Sequence, residues 1–279
     1  MGLLTGKVAV ITGAGQGIGK SHALAFAKEG AKVVVNDLGT NRHGEGTPTK
    51  VADDVVKEIK AAGGTAVANY DSVATVAGGK NIVETAIKSF GKIDILVNNA
   101  GILRDKTIYK LTEQEWDLVI QIHLKGTFCC TQPAIMFMKE NGIKGRIINT
   151  SSLSGLIGNF GQSNYASAKA GIYGFTRVIA LEGQKYGITC NAVAPVAKTR
   201  MTEDLPMFQG MGDDLGPECI SPIVVYLATD LAQEITGKIF GVQGNKLFMY
   251  EMKINDGAEK ANIWTPQEIH NKIEDIMKW

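Results

Sequence analysis

A chain of 279 residues, 44% hydrophobic and 20% charged, is long enough to enclose a sizeable core as one globular domain. Its 29 Lys and Arg balance 28 Asp and Glu to a formal charge of +1, so no basic field exists to hold nucleic acid or an anionic membrane. No Cys-x-x-Cys pair joins Cys129, Cys130, Cys190 and Cys219, and His22, His43, His123 and His270 show no metal spacing, so buried free thiols and no metal centre are expected.

Val8-Ala9-Val10-Ile11 is an unbroken apolar run, the pattern of a strand buried on both faces. The N-terminal stretch ahead of it lacks the long apolar core of a signal peptide, and no run reaches membrane-spanning length. The C-terminus is not the Ser-Lys-Leu address, so a cytoplasmic location is the expectation. Thr12-Gly13-Ala14-Gly15-Gln16-Gly17-Ile18-Gly19 follows the first strand, then a helix over Lys20 to Glu29 closed by Gly30. Lys32-Val33-Val34-Val35-Asn36 is a second strand ending at Asp37. Strand, glycine turn, helix, strand and acid together make the dinucleotide-binding unit of a doubly wound sheet. Glycines let the backbone approach a pyrophosphate, and the helix start points free N–H groups at it. Gly13, Gly15, Gln16, Gly17, Ile18 and Gly19 are therefore candidate cofactor residues. A carboxylate at Asp37 accepts from the adenosine ribose hydroxyls and repels a 2′-phosphate, which favours NAD. A polar insertion from Gly39 to Thr49, with Arg42 in it, finds no place in this scheme.

The alternation continues with a helix over Val51 to Ala62 and a strand over Ala66 to Tyr70 that ends in Asp71-Ser72-Val73. Val76 to Phe90 reads as helix and Ile93 to Val97 as strand, running into Asn98-Asn99-Ala100-Gly101. Thr112 caps a helix towards Met138, Gly145 to Ser151 is the fifth strand, and Asn164 to Lys185 is a long helix. Ile188 to Val193 is the sixth strand, Pro217 to Thr229 is helical, and Gly237 to Val242 is a last strand. Thr202 to Gly216 has the composition of a mobile substrate lid. Thr265-Pro266-Gln267-Glu268 opens a short helix by its cap and N1 proline. The tail over 255–279 reads either as a lid or dimer contact or as a helix packed on its own domain. The fold class is thus α/β, a single-domain Rossmann-type doubly wound parallel sheet with helices on both faces, spanning residues 1–279.

Tyr165-Ala166-Ser167-Ala168-Lys169 places a phenol and an ammonium one helical turn apart on one face. A free tyrosine, with a pKa near ~10, is a poor base at neutral pH, and a cation held close favours the phenolate. Ser152 stands thirteen residues before Tyr165, after the apolar strand Arg146 to Thr150.

With the glycine turn and this spacing, the chain resembles the short-chain dehydrogenase/reductase family, whose active site is a Ser, a Tyr and a Lys so placed. The resemblance implies hydride transfer between nicotinamide and a carbinol carbon. Tyr165 would be the base, Lys169 would lower its pKa and bind the nicotinamide ribose, and Ser152 would hold the substrate oxygen. It places Asp71 and Ser72 at the adenine, Asn99, Ala100 and Gly101 beside the adenosine ribose, and Pro195 and Thr199 near the nicotinamide. Gln16 and Leu38 stand where NADP-selective relatives carry Arg or Lys, which again implies NAD. His123 stands where many members have an Asn that kinks the helix and anchors a relay water; the imidazole either does part of this or only packs.

Asn69 to Val73, Asn98 to Asp105, His123-Leu124-Lys125-Gly126, Gly158 to Gln162 and Thr199 to Glu203 resemble a subgroup. It is the (3R)-hydroxyacyl-CoA dehydrogenase region of peroxisomal multifunctional enzyme type 2. That likeness implies an NAD-dependent interconversion of (3R)-hydroxyacyl-CoA and 3-oxoacyl-CoA in fatty acid metabolism, by a homodimer or homotetramer. A dehydrogenase of cyclic or steroid alcohols, or a silent nucleotide-binding subunit, are the alternatives.

Overall fold

The computed structural model describes residues 2–45, 50–197 and 215–279, and the chain divides into two compact units, the division falling after Met249. In the larger unit β1 (Val8–Thr12), β2 (Lys32–Asn36), β3 (Thr65–Asn69), β4 (Ile95–Asn98), β5 (Arg146–Thr150), β6 (Thr189–Val196) and β7 (Ile239–Gln243) pair in parallel. With β8 (Lys246–Tyr250) at the edge, the order is β3-β2-β1-β4-β5-β6-β7-β8. The central strands β1, β2 and β4 are apolar over most of their length because both faces are covered. Val8, Val10, Val34, Leu96 and Ile147 point to one side, where Ile82, Met138 and Ile179 meet them. Their neighbours Ala9, Ile11, Val33, Val35, Ile95 and Val97 point to the other, against Phe26, Ile59 and Leu227. The first layer is therefore built by α3 (Val76–Phe90), α5 (Gly126–Glu140) and α7 (Ser163–Gly183). The second is built by α1 (Gly17–Lys28), α2 (Val51–Ala61) and α8 (Ser221–Ala228). Each fully buried Ile, Leu or Phe in these layers stabilises the fold by about 1.5–3 kcal/mol.

Strand order reverses between β1 and β4, and such a reversal leaves a crevice at the carboxyl ends of the two strands. Thr12 and Asn98 end those strands, so the glycine turn and the Asn98 to Gly101 segment face each other across it. Asn98 itself is a clamp within the sheet: its Nδ2 donates to Asn149 Oδ1 at 2.8 Å and to Thr131 Oγ1 at 3.0 Å.

Helix α3 occupies the span expected of it, and the other expected strands and helices are present with ends moved by a few residues. Two features differ. The expected helix from Thr112 opens with a capping box between Thr112 and Glu115, runs as α4 (Glu113–Ile120), passes through a π turn at Gln121–Lys125 and resumes as α5. A short α6 (Ser154–Ile157) and the edge strand β8 carry no periodic signal long enough to read. Of the expected lid, only Leu215 and Gly216 lie among the described residues, and Thr199 lies outside them.

Arg146, 2% exposed, ties the foot of β5 to the segment after α8. It donates to the carbonyls of Lys144, Gly145 and Thr229 and pairs with Asp230 at 3.2 Å. The smaller unit holds α9 (Pro266–Met277), opened by a Thr265–Glu268 capping box and closed by Asn255, whose Nδ2 donates to Ile276 O at 2.6 Å. No helix among the described residues is long and apolar enough to cross a membrane.

Candidate active site

The turn after β1 is a tight fit that only glycine permits. Gly13 and Gly17 take positive φ (62° and 53°), and a Cβ on Gly13 would lie 2.7 Å from Ala100 Cα. A Cβ on Gly19 would lie 2.1 Å from Gly13 O, so α1 starts in direct contact with the strand end. Asn99 braces the turn, its Nδ2 donating to the carbonyls of Thr12 (3.0 Å) and Gly13 (3.1 Å). Thr12 Oγ1 accepts the N–H groups of Asn99 and Ala100 in return, at 3.0 and 3.1 Å.

One cleft runs along these elements. Gly13, Gln16, Gly17, Ile18 and Gly19 line it from the turn, Asp37, Asp71 and Ser72 from the ends of β2 and β3, and Asn99, Ala100 and Gly101 from the end of β4. His123, Tyr165, Lys169 and Pro195 line its far end. Gly15 is not on the wall; its N–H donates to Asp37 Oδ2 at 2.8 Å and positions that carboxylate. Asp71 is held by Asn69 (2.8 Å) and Asn81 (3.1 Å). Ser152 is not on the wall either; its hydroxyl accepts from Ser154 N–H at 3.2 Å and is near enough to the Tyr165 phenol to favour its ionised form. Leu38, weighed by sequence only for cofactor choice, and Arg42 of the insertion are on the wall too, as are Asn36, Val73, Ile102, Ile122 and Thr150, which were not singled out by sequence. The insertion after Asp37 was the one available signal among these; the rest reach the cleft through strand order.

The far end holds three titratable groups in contact. Lys169, one turn after Tyr165 on α7, has its Nζ 5.5 Å from the Tyr165 ring centroid and donates to Thr150 O at 2.6 Å. The His123 ring meets the Tyr165 ring edge to face, centroids 5.2 Å apart at 89°. His123 Nε2 lies 3.0 Å from the N–H and 2.8 Å from the carbonyl of Ile102, while its buried Nδ1 has no protein partner. The π turn sets His123 inward between α4 and α5, where its carbonyl accepts Thr127 Oγ1 at 2.7 Å.

Burial governs the ionisation of all three. It pushes the Tyr165 phenol up to about 12, with the Asp105 carboxylate adding to the rise and the nearby Ser152 hydroxyl opposing it. The net direction at Tyr165 is therefore upward, not the lowering expected from Lys169, and desolvation drives Lys169 itself down to about 7. Desolvation, aided by the nearby Lys169, also drives His123 down to about 3, so the imidazole is neutral at pH 7.

The model of the short chain dehydrogenase family matches residues 7–209. The chain belongs to that family. It is 51% identical over 229 residues to peroxisomal multifunctional enzyme type 2 of Drosophila melanogaster, covering 82% of this chain and 38% of that one. It is 48% identical over 270 residues to peroxisomal multifunctional enzyme A of Dictyostelium discoideum, covering 97% and 60%. The chain thus spans only part of the length of these curated relatives. A solved short chain dehydrogenase from Mycobacterium avium superposes with a TM-score of 0.88 at 44% identity, covering 99% of this chain and 96% of that one. As a short-chain dehydrogenase the protein is an oxidoreductase of the class that uses NAD or NADP. The cleft fits such a dinucleotide: Gly13 and Gly19 admit no side chain in the turn that a diphosphate must approach, and a carboxylate stands at the end of β2. Among the described residues no group of His, Cys, Asp and Glu is placed to hold a metal.

Proposed function

We propose that the protein is an NAD-dependent dehydrogenase that interconverts a (3R)-hydroxyacyl-CoA and its 3-oxoacyl-CoA. The observation that carries the chemistry is the Tyr165 phenol at one end of the cleft, with Lys169 Nζ 5.5 Å from its ring centroid, while Asp37 lines the other end. When bound, the nicotinamide accepts or supplies hydride at C4. The chain's own groups handle the oxygen. In reduction, the protonated phenol of Tyr165 is the acid for the forming alkoxide, and the Ser152 hydroxyl donates to the same oxygen. In oxidation, Tyr165 takes the hydroxyl proton, and a bound oxidised nicotinamide would add positive charge that favours its phenolate. Lys169, tethered to Thr150 O, is poised near neutrality to hold or release a proton next to it. His123 positions the phenol through ring contact and the Ile102 backbone.

Asp37 supports NAD over NADP, because a 2′-phosphate would meet a carboxylate already fixed by two backbone N–H groups. The acyl-CoA class is supported by the relatives, several of which are named peroxisomal multifunctional or hydratase-dehydrogenase enzymes. A cytoplasmic homo-oligomer completes the proposal: the described cysteines are all free, and Phe128, Met136, Val178 and Leu181 expose apolar surface on α5 and α7.

A substrate panel with NAD, read by NADH absorbance, tests the assignment. (3R)-Hydroxyacyl-CoA thioesters should be oxidised with the highest kcat/KM; preference for cyclic or steroid alcohols would displace the acyl-CoA reading. Tyr165→Phe should bind NADH normally and lose about 10²–10⁴-fold in turnover; unchanged turnover would remove Tyr165 from the reaction.

A further inference from the structure

The phenol of Tyr165 is carried by the part of a helix that ordinarily holds least firmly. α7 begins at Ser163, so Tyr165 is its third residue, and the backbone N–H groups of a first turn have no partner inside the helix. The Ala166 N–H reaches Gln162 O at 2.7 Å, which leaves the Tyr165 N–H just outside the ladder. Gln162 stands at the cap position and makes no cap; its side chain bonds Asp105 at 2.7 Å and Ser154 at 2.8 Å instead. Lys169, one turn on, is fixed at the end of β5: its Nζ donates to Thr150 O, and its carbonyl accepts Ser151 Oγ at 3.0 Å. Tyr165 is held by a different device.

That device is the side chain of Asn164, which is fully buried. Its Oδ1 accepts the Tyr165 N–H at 2.8 Å, and its Nδ2 donates to Arg104 O at 3.0 Å and to Glu115 O at 3.4 Å. The partners fix which way the amide points: an N–H must face its oxygen, and two carbonyls must face its nitrogen. One amide thus joins three elements: the start of α7, the segment after β4 and the first turn of α4. Arg104 lies two residues beyond Ile102, whose backbone holds the His123 ring that meets the Tyr165 ring. Glu115 belongs to the capping box of α4 and pairs with Lys106 at 2.7 Å, so that landing point is itself braced. The backbone of Tyr165 and the ring packed on its phenyl group are therefore both referred to one stretch of chain, 102–104. A buried amide with these bonds made is a rigid link, because leaving one unmade costs about 1–3 kcal/mol.

We infer that Asn164 is a positioning residue for Tyr165, fixing the phenol in the cleft by tying the first turn of α7 to the segment after β4. This rests on the reading of Tyr165 as the acid and base. A helix cap alone would need only the Oδ1 contact; the two donations by Nδ2 are what locate the turn relative to the rest of the site.

Turnover per NADH-binding site and NADH affinity should be measured for Asn164→Ala, Asn164→Asp, Tyr165→Phe and the double variant Asn164→Ala/Tyr165→Phe. Counting sites by NADH titration removes unfolded material from the comparison. Asn164→Ala should lower kcat per site about 10²-fold, the effect of a shift of about 1 Å at the reacting group, and leave NADH affinity within about twofold. Asn164→Asp keeps an acceptor for the Tyr165 N–H, at a helix start that favours negative charge, but loses both donations. It should therefore lose turnover as Asn164→Ala does. In the double variant, Asn164→Ala should add no loss to that of Tyr165→Phe, because a residue acting only through the phenol has nothing left to act on. Parent turnover per site in Asn164→Ala, or parent turnover restored by Asn164→Asp, would overturn the inference. So would a loss that multiplies with that of Tyr165→Phe, or abolition of NADH binding in both Asn164 variants, which would make the residue a structural one. Unchanged turnover in Tyr165→Phe itself would instead remove the reading on which the inference rests.

Discussion

Gly101→Ala probes the packing that places the catalytic end. The backbone there is outside the left-handed region, so alanine brings no conformational penalty of its own. Its Cβ, however, would lie 2.3 Å from His123 Cε1 and 3.0 Å from Nδ1, where 3.4–4 Å is ordinary contact. The ring must retreat by about 1 Å, which is a large displacement in a close-packed interior. It cannot do so freely: Nε2 is within 3.0 Å of both Ile102 backbone groups, and the ring edge abuts Tyr165. Overpacking of this kind costs about 1–3 kcal/mol. At roughly 2–4 °C per kcal/mol for a domain of this size, the melting temperature should fall by roughly 2–12 °C. A misplacement of about 1 Å at the phenol should cost about 10²-fold in kcat. Thermal unfolding and NADH-linked turnover measure the two effects. The double variant Gly101→Ala/His123→Ala should be more stable than the sum of the single changes by about 0.5–3 kcal/mol, because truncating the ring makes room for the methyl. A Gly101→Ala protein with the parent's melting temperature and turnover would refute the claim that the imidazole is wedged between this glycine and the phenol.

Three further outcomes are expected. Asp37→Ala should narrow the preference for NAD over NADP by about tenfold or more, since it removes a charge-assisted acceptor and a repulsive charge together; an unaltered ratio of kcat/KM values would place cofactor choice elsewhere. His22, fully buried against Ser221, is pushed down to about 3 by desolvation from 6.5. Between those values the unfolded chain binds the proton that the fold refuses, so stability is whole above pH 6.5 and falls by up to about 1.4 kcal/mol per pH unit as acid is added. Urea unfolding across that range should give a shallower slope for His22→Gln, and an identical slope would remove His22 as a source. Arg146→Met should destabilise by about 3 kcal/mol, because the carbonyls of Lys144, Gly145 and Thr229 each lose a hydrogen bond and Asp230 and Gln233 lose their charged partner. Turnover well below the melting range should be unchanged; a loss of less than about 1 kcal/mol in urea would contradict the account.

Much that depends on near neighbours along the chain was legible before the fold. Apolar runs such as Val8 to Ile11 announce strands covered on both faces. The one-turn spacing of Tyr165 and Lys169 needs only a helix, and the glycines between β1 and α1 need only a tight turn. The cap at Thr112 and the one at Thr265 were equally readable, since a capping box is four residues long.

What the tertiary structure alone decided depends on residues brought together from far apart. Lys169 was expected to acidify Tyr165, but the direction of that shift is set by how many atoms enclose the phenol, and enclosure is not a property of five residues. His123 gained its place from contacts with Gly101, Ile102 and Tyr165, carried by three different elements. Asn99 proved to brace the glycine turn, and Arg42 to face the cleft, because strand reversal between β1 and β4 folds those segments over one another. Periodicity and spacing determine which local structures form; desolvation and long-range contact, which follow from how those structures stack, determine what their side chains can do.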